Sequence, residues 1–568
     1  MFMGTSGNRE GYKVFSFNTT IRNPKRNDDF LAAFKKYDGM VMNERALRSY
    51  LCDCVQKGIY KFKVVSSDVK KKWENNQDLT EEEIDRLIID NPQAPGLTGR
   101  VMTQLRALKD QGFLIFNEVS HGLIQMRISA LGRDLLNGVK SADDIYTKAM
   151  IGMQANSPAR VSILNESRPF LNTLFVINEL RRLSDAKGVV SKGLHPHEFS
   201  VFVLSMTDCD YEQAAKDIML YRSKFKHEYN HKYCKEYLRQ KAILPLAESS
   251  LKRDYPDDVF RKFEMTGLIV KRGSHKYQYY DFSSYNFGKI QSILSLFSGY
   301  KWERYSSIEE YYNSLSRISL PWEKSNTVKK RVVEMKATVL GIPYDQTKTI
   351  EQNEEVLDRV FYTNALKRAI DGIELDKICR ELLILSGRIK AKSDFDDISE
   401  SLRLEYMLAL ILGKRYGTAG LISNILYNED GKPLHCAAAG KFDIMFYSEE
   451  GTYILEPTML SSRDQQINSE TTNVARHARE EEHRLNTGCR VMMIAPRVHS
   501  DVTDFFRYKV ISDNVKMVTL SIERSVGLFM DSGTIPILND NYDTIINDLK
   551  TLGCSEFADK VNQYQYAV

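Results

Sequence analysis

Two alternating strands around a tight turn are the feature of this sequence that most constrains its fold. The stretch KFDIMFYSEEGTYILEPT, which begins at residue 441, has side chains of period two on both sides of a central SEEG turn. If Tyr447 pairs with Thr452, Asp443 lies directly opposite Glu456, with both side chains on one face of the sheet and their Cβ atoms about 5 Å apart. The sequence therefore predicts a β-hairpin with two facing carboxylates.

Two facing carboxylates repel each other unless a positive charge lies between them. A divalent cation with oxygen ligands and open coordination positions meets this need, and Mg²⁺ suits a carboxylate pair that holds a phosphate. Such an ion polarises the scissile phosphate and activates a water molecule. The alternative is an exposed acidic pair on a solvent-facing hairpin. Asp443 and Glu456 are therefore candidate metal ligands and catalytic residues.

A polar stretch with helical spacing follows the hairpin. Residues four, three and four positions apart share one helical face there, namely Gln466, Glu470, Asn473 and His477. Side chains of these types, turned toward a carboxylate pair, are suited to ordering an attacking water, and Arg476 is placed to clamp the phosphate. An exposed polar helix without any such role is the alternative.

Glu405 lies in the apolar stretch LRLEYMLALIL. A carboxylate on such a helix has to be paired, neutral or bound to a cation, because burying an unpaired charge is costly. It is either a helix-surface residue at the edge of the core or a third acidic group of the candidate metal site.

The last third of the chain has an α/β pattern. After Ser393 the sequence predicts a helix over 395–414, the hairpin, a polar helix over about 464–483, a buried strand over 489–496, a short helix and a strand over 516–522. Helices that alternate with apolar strands indicate a mixed sheet that is covered on its faces.

A helix, two short strands and a second helix start follow one another between residues 96 and 136. This order resembles a winged helix, in which the helix before the hairpin enters the major groove of DNA. Candidate base or phosphate contacts on this helix are Arg100, Gln104, Arg106 and Lys109. A structural or protein-binding module is the alternative.

A second succession of this kind runs from 257 to 286, and Lys271, Arg272 and Lys276 stand where wing residues meet DNA phosphates. Between the two modules, residues 221–241 contain seven Lys or Arg and two Glu, interleaved with aromatic residues. That composition is typical of a helix that follows the phosphate backbone, and also of a solvated charged face. Its candidate phosphate contacts are Arg222, Lys224 and Lys226.

The chain is long enough for several domains, with 568 residues of which 42% are hydrophobic. We predict a multidomain α+β protein with a DNA-recognition region of winged-helix-like modules over 1–300. Charged, helix-forming sequence over 301–394 predicts a helical connector, and 395–568 an α/β domain.

Charge, cysteines and hydropathy narrow the class of protein further. A net charge of +4 by itself says little about nucleic acid. The eight cysteines form no CxxC pairs, which argues against structural zinc and favours reduced thiols. Neither a membrane-spanning apolar run nor a signal-peptide core is evident, so a soluble, cytoplasmic protein of bacterial type without a membrane partner is expected.

The segments HCAAAGKFDIMF and YILEPTMLSSRDQQINSETTNVARH resemble the nuclease core of the AlwI-type Type IIS restriction endonucleases and their site-specific nicking relatives. The resemblance covers about 435–496 closely and the rest of the chain by the order of its parts. It implies a PD-(D/E)xK-like nuclease core that uses Mg²⁺. In that core Asp443 and Glu456 would bind the metal, Gln466 and Glu470 would complete the site, and Glu405 would be the acidic residue of the preceding helix.

The sequence departs from the general pattern of that fold two residues after the second carboxylate. Thr458 stands where a lysine is usual, as in the subfamily, which leaves Gln466, Glu470 and Lys441 as candidates to position or deprotonate the water. Pro457 lacks a backbone donor, which predicts an edge or bulged position rather than a central one.

The resemblance implies an endonuclease that binds a short asymmetric site in double-stranded DNA and hydrolyses it a fixed distance to one side. One chain has one candidate metal site, so nicking is the simpler reaction. Double-strand cleavage would need a transient homodimer or a second subunit. The alternative from another class is a non-catalytic, sequence-specific DNA-binding regulator.

Overall fold

The computed structural model describes residues 13–17, 23–56, 59, 66, 68–69, 72, 79–90, 97–120, 123–138, 141–160, 165–273, 277–396, 398–436, 442–449, 451–460, 463, 466–485 and 488–563. Within these ranges the side chains of 88–90, 97–98, 100, 468–470, 472–473 and 483–485 lie outside the description. The chain forms two compact units. Unit 1 comprises residues 1–50 and 96–357, and unit 2 comprises 51–95 and 358–568.

Helices dominate both units. The α-helices from α1 to α12 are Asn27–Phe34, Glu44–Gln56, Glu81–Asp90, Leu97–Asp110, Ala130–Asn137, Ala142–Gly152, Pro169–Asp185, Pro196–Glu198, Tyr211–Phe225, His231–Gln240, Tyr255–Glu264 and Phe287–Leu296. Those from α13 to α23 are Ile308–Arg317, Pro321–Lys324, Asn326–Leu340, Ile350–Gly372, Leu375–Leu385, Glu400–Tyr416, Thr472–Leu485, Ser500–Ser512, Ile522–Asp531, Ile535–Thr551 and Cys554–Asn562. Short 3₁₀ turns cover Pro24–Arg26 and Lys35–Tyr37, and π-helical turns cover Phe199–Val203, Ser250–Asp254 and Gln466–Thr471.

Eleven strands are present in the described part of the chain. Strands β1 to β11 are Leu114–Ser120, Leu123–Ile128, Ile269–Arg272, Tyr279–Phe282, Leu421–Ser423, Leu426–Tyr427, Pro433–His435, Ile444–Ser448, Gly451–Pro457, Cys489–Ala495 and Lys516–Ser521. They form one five-stranded sheet with the order β11-β10-β9-β8-β5 and three two-stranded sheets, β1-β2, β3-β4 and β6-β7. The fold is therefore a helix-rich α+β fold.

Unit 1 contains the first predicted helix, hairpin and helix. Helix α4 ends before Gly112, whose φ of +92° is accessible to glycine, and β1 then pairs antiparallel with β2. Ser129 starts α5, because its Oγ accepts a hydrogen bond from the Gly132 amide at 3.0 Å and donates one to the Gly112 carbonyl at 2.6 Å. The predicted order of elements is present, and the winged-helix interpretation stays a proposal.

Unit 1 also contains the second predicted succession, formed by α11, the antiparallel hairpin β3-β4 and α12. Helix α11 buries an ion pair, since the Lys262 ammonium donates to Asp258 and both side chains are 0% exposed. The ammonium also lies 5.5 Å from the centre of the Phe17 ring. A charged pair therefore lies inside the core of this unit.

The core of unit 2 surrounds the five-stranded sheet. Strand β10 pairs in parallel with β9 and β11, whereas β8 pairs antiparallel with β9. The apolar run of β10, Val491 to Ala495, is fully buried, as expected for a strand that is covered on both faces. Helix α18 packs on this sheet and buries an unbroken stretch from Leu402 to Gly413.

The hairpin β8-β9 has the predicted register. Tyr447 pairs with Thr452, and the pairing continues to Ile444 opposite Leu455. The turn is closed by Ser448, whose Oγ accepts from the Gly451 amide at 3.1 Å and donates to its carbonyl at 2.9 Å. The register prediction is therefore confirmed over the whole of β8.

The prediction of an edge or bulged position for Pro457 is wrong. Its strand, β9, is the central strand of the sheet, and Pro457 pairs with Ile494 of β10 as its last residue. The next amide, that of Thr458, donates to the Ile494 carbonyl at 2.8 Å. Proline is tolerated here because the ladder with β8 has already ended at Leu455, so the missing donor has no partner to lose.

The predicted connector, 301–394, consists of helices, as expected, and is divided between the two units. Helices α13 to α15 belong to unit 1, α17 belongs to unit 2, and the division falls within α16, between Leu357 and Asp358. All eight cysteines are free thiols, in agreement with their scattered spacing. Within the described residues, no helix combines the length and the apolar character needed to cross a membrane.

Candidate functional site

The two predicted ligands lie at the end of the hairpin that is remote from its turn. Glu456 is the sixth residue of β9, and Asp443 directly precedes β8, at the position that the register sets opposite Glu456. Asn424 fixes the chain there, because its amide donates to the Asp443 carbonyl at 3.0 Å and its side chain donates to the Phe442 carbonyl at 2.6 Å. Asn424, which follows strand β5, therefore fixes the backbone at Asp443 by two hydrogen bonds.

Glu456 is a buried carboxylate in the central strand, with 7% of its surface exposed. Its Oε1 lies 2.8 Å from Nδ1 of His477. Burial raises the pKa of Glu456, and the nearby His477 and Arg476 oppose that rise only in part. A second positive charge at this carboxylate would offset the remaining cost of its ionisation.

The predicted polar helix begins with a π-helical turn and continues as α19. This helix brings His477 to Glu456, as the four-three-four spacing implies. Glu470 and Asn473 belong to the same stretch, but their side chains are outside the described part of the chain. The structure therefore joins one residue of the predicted face to Glu456.

Gln466 has a different environment from the one we predicted. It is fully buried, and its Nε2 donates to the carbonyls of Leu460 at 2.9 Å and Arg497 at 2.7 Å. These bonds tie the start of the π-helical turn to the segment after β10. Because a fully buried amide that binds two backbone carbonyls is not placed to order an attacking water, we do not include Gln466 among the reacting groups.

Arg476 is already paired, although we predicted a free phosphate clamp. Its Nη1 donates to both carboxylate oxygens of Glu480 at 3.0 Å, and its Nη2 lies 2.9 Å from Nε2 of His477. Sequence reasoning did not single out Glu480. The signal that was available is the spacing of four residues between an Arg and a Glu on a helix.

Thr458, at the position where the resemblance marks a lysine as usual, hydrogen-bonds to the backbone. Its Oγ1 accepts a hydrogen bond from the Leu460 amide at 3.1 Å, which shapes the turn after β9. Lys441, the candidate that we named as a substitute, lies outside the described residues.

Glu405 is buried on α18, with 5% exposure, so it is not the helix-surface residue that was one of the two alternatives. Its role as a third acidic group of the site stays a proposal.

The donor set fits magnesium. In the described part of the chain, no three His, Cys, Asp or Glu side chains are arranged to hold a metal ion. Mg²⁺ does not need such a cage, because it usually keeps several waters and binds one or two carboxylates together with substrate phosphate. Asp443 and Glu456 are the two carboxylates of this site that could supply that minimum.

The predicted DNA contacts on α4 have different exposures. Arg106 is exposed, and Lys109 is half-buried with its ammonium 5.5 Å from the centre of the Phe116 ring. Burial lowers the pKa of Lys109, Asp110 opposes this, and the like charge of Arg106 adds to it. Gln104 is 8% exposed and faces the protein core, so the proposal of a groove contact by Gln104 is withdrawn. The side chain of Arg100 lies outside the description.

Arg222 is not a surface cation. Its guanidinium binds both carboxylate oxygens of the fully buried Glu198, at 2.8 and 2.7 Å, and also donates to the Gly193 carbonyl. Burial opposes the charge of Arg222, and Glu198 outweighs burial, so the pKa of Arg222 is raised. Arg222 therefore fixes the fold of unit 1 instead of contacting phosphate. Lys224 and Lys226, the other two candidates in this stretch, are exposed.

The second hairpin places its two predicted contacts at the end of β3, where both are half-buried. Arg272 donates to the Phe282 carbonyl at 3.2 Å and to Ser284 Oγ at 3.1 Å. Lys271 pairs across the hairpin with Tyr280. Lys276 falls outside the described residues.

The chain is similar to two solved structures, the small subunit of the heterodimeric restriction endonuclease R.BspD6I and the restriction endonuclease FokI. The first shares 15% identity, has a TM-score of 0.27, and is matched over 31% of this chain and 93% of its own. The second shares 10% identity, has a TM-score of 0.24, and is matched over 94% of this chain and 98% of its own. No match is found among curated proteins.

The family assignment rests on a different match. The family described as AlwI restriction endonuclease matches residues 110–524, which is well over half of the chain and includes the hairpin with both carboxylates. This chain therefore belongs to the AlwI restriction endonuclease family.

Proposed function

We propose that this DNA endonuclease is a Mg²⁺-dependent enzyme of the Type IIS or nicking kind. It binds a short asymmetric site through unit 1 and hydrolyses a phosphodiester bond a fixed distance away at Asp443 and Glu456. The observation that supports this proposal most is the buried carboxylate of Glu456, held at 2.8 Å by His477 at the end of a hairpin whose register sets Asp443 opposite it.

Asp443 and Glu456 would hold the metal ion. When bound, Mg²⁺ would stabilise the charge that develops on the phosphate and supply an activated water. The chain itself contributes the remaining parts. The central strand fixes the position of Glu456, and His477 donates a hydrogen bond to one of its carboxylate oxygens. Lys224 and Lys226 in unit 1 are exposed cations available to the DNA backbone.

A single chain would cut a single strand, because it supplies one pair of metal-binding carboxylates. Cleavage of both strands would require a second nuclease domain, from another copy of this chain or from a second subunit. The R.BspD6I neighbour is described as the small subunit of a heterodimeric restriction endonuclease. Nicking by the isolated monomer is the simplest proposal, because it requires no second nuclease domain.

A plasmid assay tests this function. Supercoiled DNA of several sequences is incubated with the full-length protein and Mg²⁺, and in parallel with EDTA. We expect open circles with Mg²⁺ and unchanged supercoiled DNA with EDTA, and run-off sequencing of the product gives the site, the strand and the offset. Linear product would indicate double-strand cleavage. Supercoiled DNA that persists with Mg²⁺ on every plasmid would favour the DNA-binding regulator instead.

Removing two exposed lysines of unit 1 should weaken DNA binding without changing its sequence preference. Among the described residues, neither Lys224 nor Lys226 has an ion pair, so each is available to a phosphate. For the double replacement Lys224→Gln and Lys226→Gln, we expect the slope of log affinity against log salt to fall by about 0.9 for each phosphate that the protein no longer neutralises. Fluorescence anisotropy over a salt series measures this slope.

Arg239→Gln is the matched control for that measurement. Its guanidinium is held by Glu236 on α10, at 2.9 and 2.7 Å, so its removal should change the slope less. A loss of affinity confined to one DNA sequence would show that the two lysines contact bases and would contradict the phosphate assignment.

A further inference from the structure

Four side chains form a continuous line of hydrogen bonds from the surface of α19 to the buried carboxylate. Glu480 and Arg476 are joined by two bonds of 3.0 Å, Arg476 and His477 by one of 2.9 Å, and His477 and Glu456 by one of 2.8 Å. The side chains of Glu480 and Arg476 are 54% and 43% exposed, whereas those of His477 and Glu456 are 8% and 9% exposed. A surface ion pair is thus connected to the candidate metal ligand.

The chemistry of arginine decides the direction of each bond in this line. A guanidinium has only donors, so Nη2 of Arg476 donates to Nε2 of His477, and that nitrogen has to present a lone pair. The proton of the neutral imidazole is then on Nδ1, from which it is donated to Oε1 of Glu456. With the opposite tautomer, both contacts would lose their donor–acceptor match.

The arrangement also restricts what His477 can do. A histidine that acts as general base accepts a proton through an available lone pair, and here that lone pair already accepts a hydrogen bond from Arg476. His477 is therefore a hydrogen-bond donor to the carboxylate of Glu456. It binds Oε1, which leaves Oε2 to coordinate the metal ion. In the part of the chain that the structure describes, that second oxygen, Oε2, has no hydrogen-bond partner.

We propose that Arg476 and Glu480 are positioning residues of the nuclease site: Arg476 fixes His477 as the tautomer that donates to Glu456, and Glu480 orients Arg476. The inference rests on the proposed function, because it assigns these two residues to the same carboxylate. It replaces the prediction that Arg476 clamps the phosphate. Partners that orient a ligand of a metal typically affect metal affinity or activity about 10–100-fold when they are removed.

The stability of the fold gives no competing reason for a large effect. An exposed ion pair of this kind contributes little to stability. Replacing Glu480 should therefore leave the protein folded, and a loss of cleavage would report on the geometry of the site. This makes Glu480 the more informative of the two positions.

The test measures single-turnover cleavage of plasmid and DNA affinity separately, with the full-length protein. We expect Glu480→Ala and Arg476→Gln each to lower the cleavage rate at saturating DNA and Mg²⁺ about 10-fold. DNA affinity and its salt slope should stay unchanged. Glu480→Gln keeps an acceptor oxygen for Arg476 and should restore part of the rate. The double variant should be no slower than Arg476→Gln, because the two residues act as one line.

A spectroscopic measurement checks the tautomer itself. The protein contains ten histidines. With ¹⁵N-labelled histidine, the two ring nitrogens of His477 are distinguished by long-range proton–nitrogen correlation, and His477→Gln identifies its signals. We expect protonated Nδ1 and unprotonated Nε2 in the unchanged protein, and a mixture of tautomers in Arg476→Gln.

Glu236→Ala is the matched control, since it also removes the acid of an exposed Arg–Glu pair, with Arg239 on α10, and should leave the cleavage rate unchanged. Normal cleavage by Glu480→Ala would overturn the proposal. So would a lower affinity and a smaller salt slope in Arg476→Gln at an unchanged rate, which would assign Arg476 to a phosphate. If the unchanged protein cuts no DNA, the proposed function fails, and the tautomer measurement still decides whether Arg476 fixes the tautomer of His477.

Discussion

Glu456→Gln should lower the single-turnover cleavage rate at least about 1000-fold, which corresponds to about 4 kcal/mol of lost transition-state stabilisation. Glutamine keeps the shape of the side chain, and its oxygen can still accept the bond from His477. It lacks the negative charge that a magnesium ion needs from a ligand. Because the change is nearly isosteric in a buried position and removes a candidate metal ligand, not a DNA contact, DNA affinity should stay within about twofold.

Glu449→Gln is the control for this result. Glu449 is exposed in the turn of the same hairpin, so its replacement removes one carboxylate without touching the site. We expect cleavage at the rate of the unchanged protein. If Glu456→Gln cleaved as fast as Glu449→Gln, the carboxylate of Glu456 would have no part in the reaction.

Asp258→Ala should destabilise unit 1 by about 3–5 kcal/mol, because it leaves a buried ammonium without its counter-charge. Lys262 is 0% exposed, and burial already lowers its pKa, with Asp258 opposing that shift. Urea denaturation of the full-length protein, followed by tryptophan fluorescence, measures the effect. Trp302 and Trp322 both lie in unit 1 and report on its unfolding.

The neighbouring residue offers a matched control. Asp257 pairs with Arg261 at 2.9 Å with the same spacing of four residues, but both side chains are about one third exposed, so Asp257→Ala should cost at most about 1 kcal/mol. The double replacement Asp258→Leu and Lys262→Met should recover most of the stability lost in Asp258→Ala, since apolar pairs often replace buried ion pairs without loss. Equal destabilisation by Asp257→Ala and Asp258→Ala would contradict the claim that burial of the Asp258–Lys262 pair makes its disruption costly.

The hairpin could be predicted because its information is local. A tight turn and side chains of period two fix the register, and a shift of one residue would have turned every apolar side chain of the pair to the wrong face. The same reasoning predicted that His477 shares a helical face with Gln466. Spacing along one element is thus enough to say which residues share a face.

Spacing along one element does not predict which residues of other elements contact that face. Gln466 is fully buried against the segment that contains Arg497, and Arg222 is bound to Glu198, which is 24 residues away in the sequence. Gln104 is a further case, since its helix turns it toward the core. For Gln466 and Arg222 the deciding contact comes from another element, and polar composition alone cannot distinguish a surface residue from a buried one.

Position 458 is another place where the sequence of one element could not show which residues of other elements lie nearby. The resemblance marked position 458 as one where a lysine is usual, and it left open which group positions or deprotonates the water. The structure brings Arg476 near Glu456 through His477, so a positive charge close to this carboxylate comes from a neighbouring helix. A motif on one strand cannot reveal a substitute from another element.

Metal binding at the two carboxylates is the central claim, and Mn²⁺ binding followed by electron paramagnetic resonance tests it most directly. The full-length protein is titrated with Mn²⁺ in the presence of a duplex that contains the cleavage site with a non-hydrolysable linkage. We predict one tightly bound Mn²⁺ per chain, lost in Glu456→Gln and in Asp443→Asn and retained in Glu449→Gln. Unchanged Mn²⁺ binding in both of the first two variants would contradict the account, because the ion would then be held elsewhere.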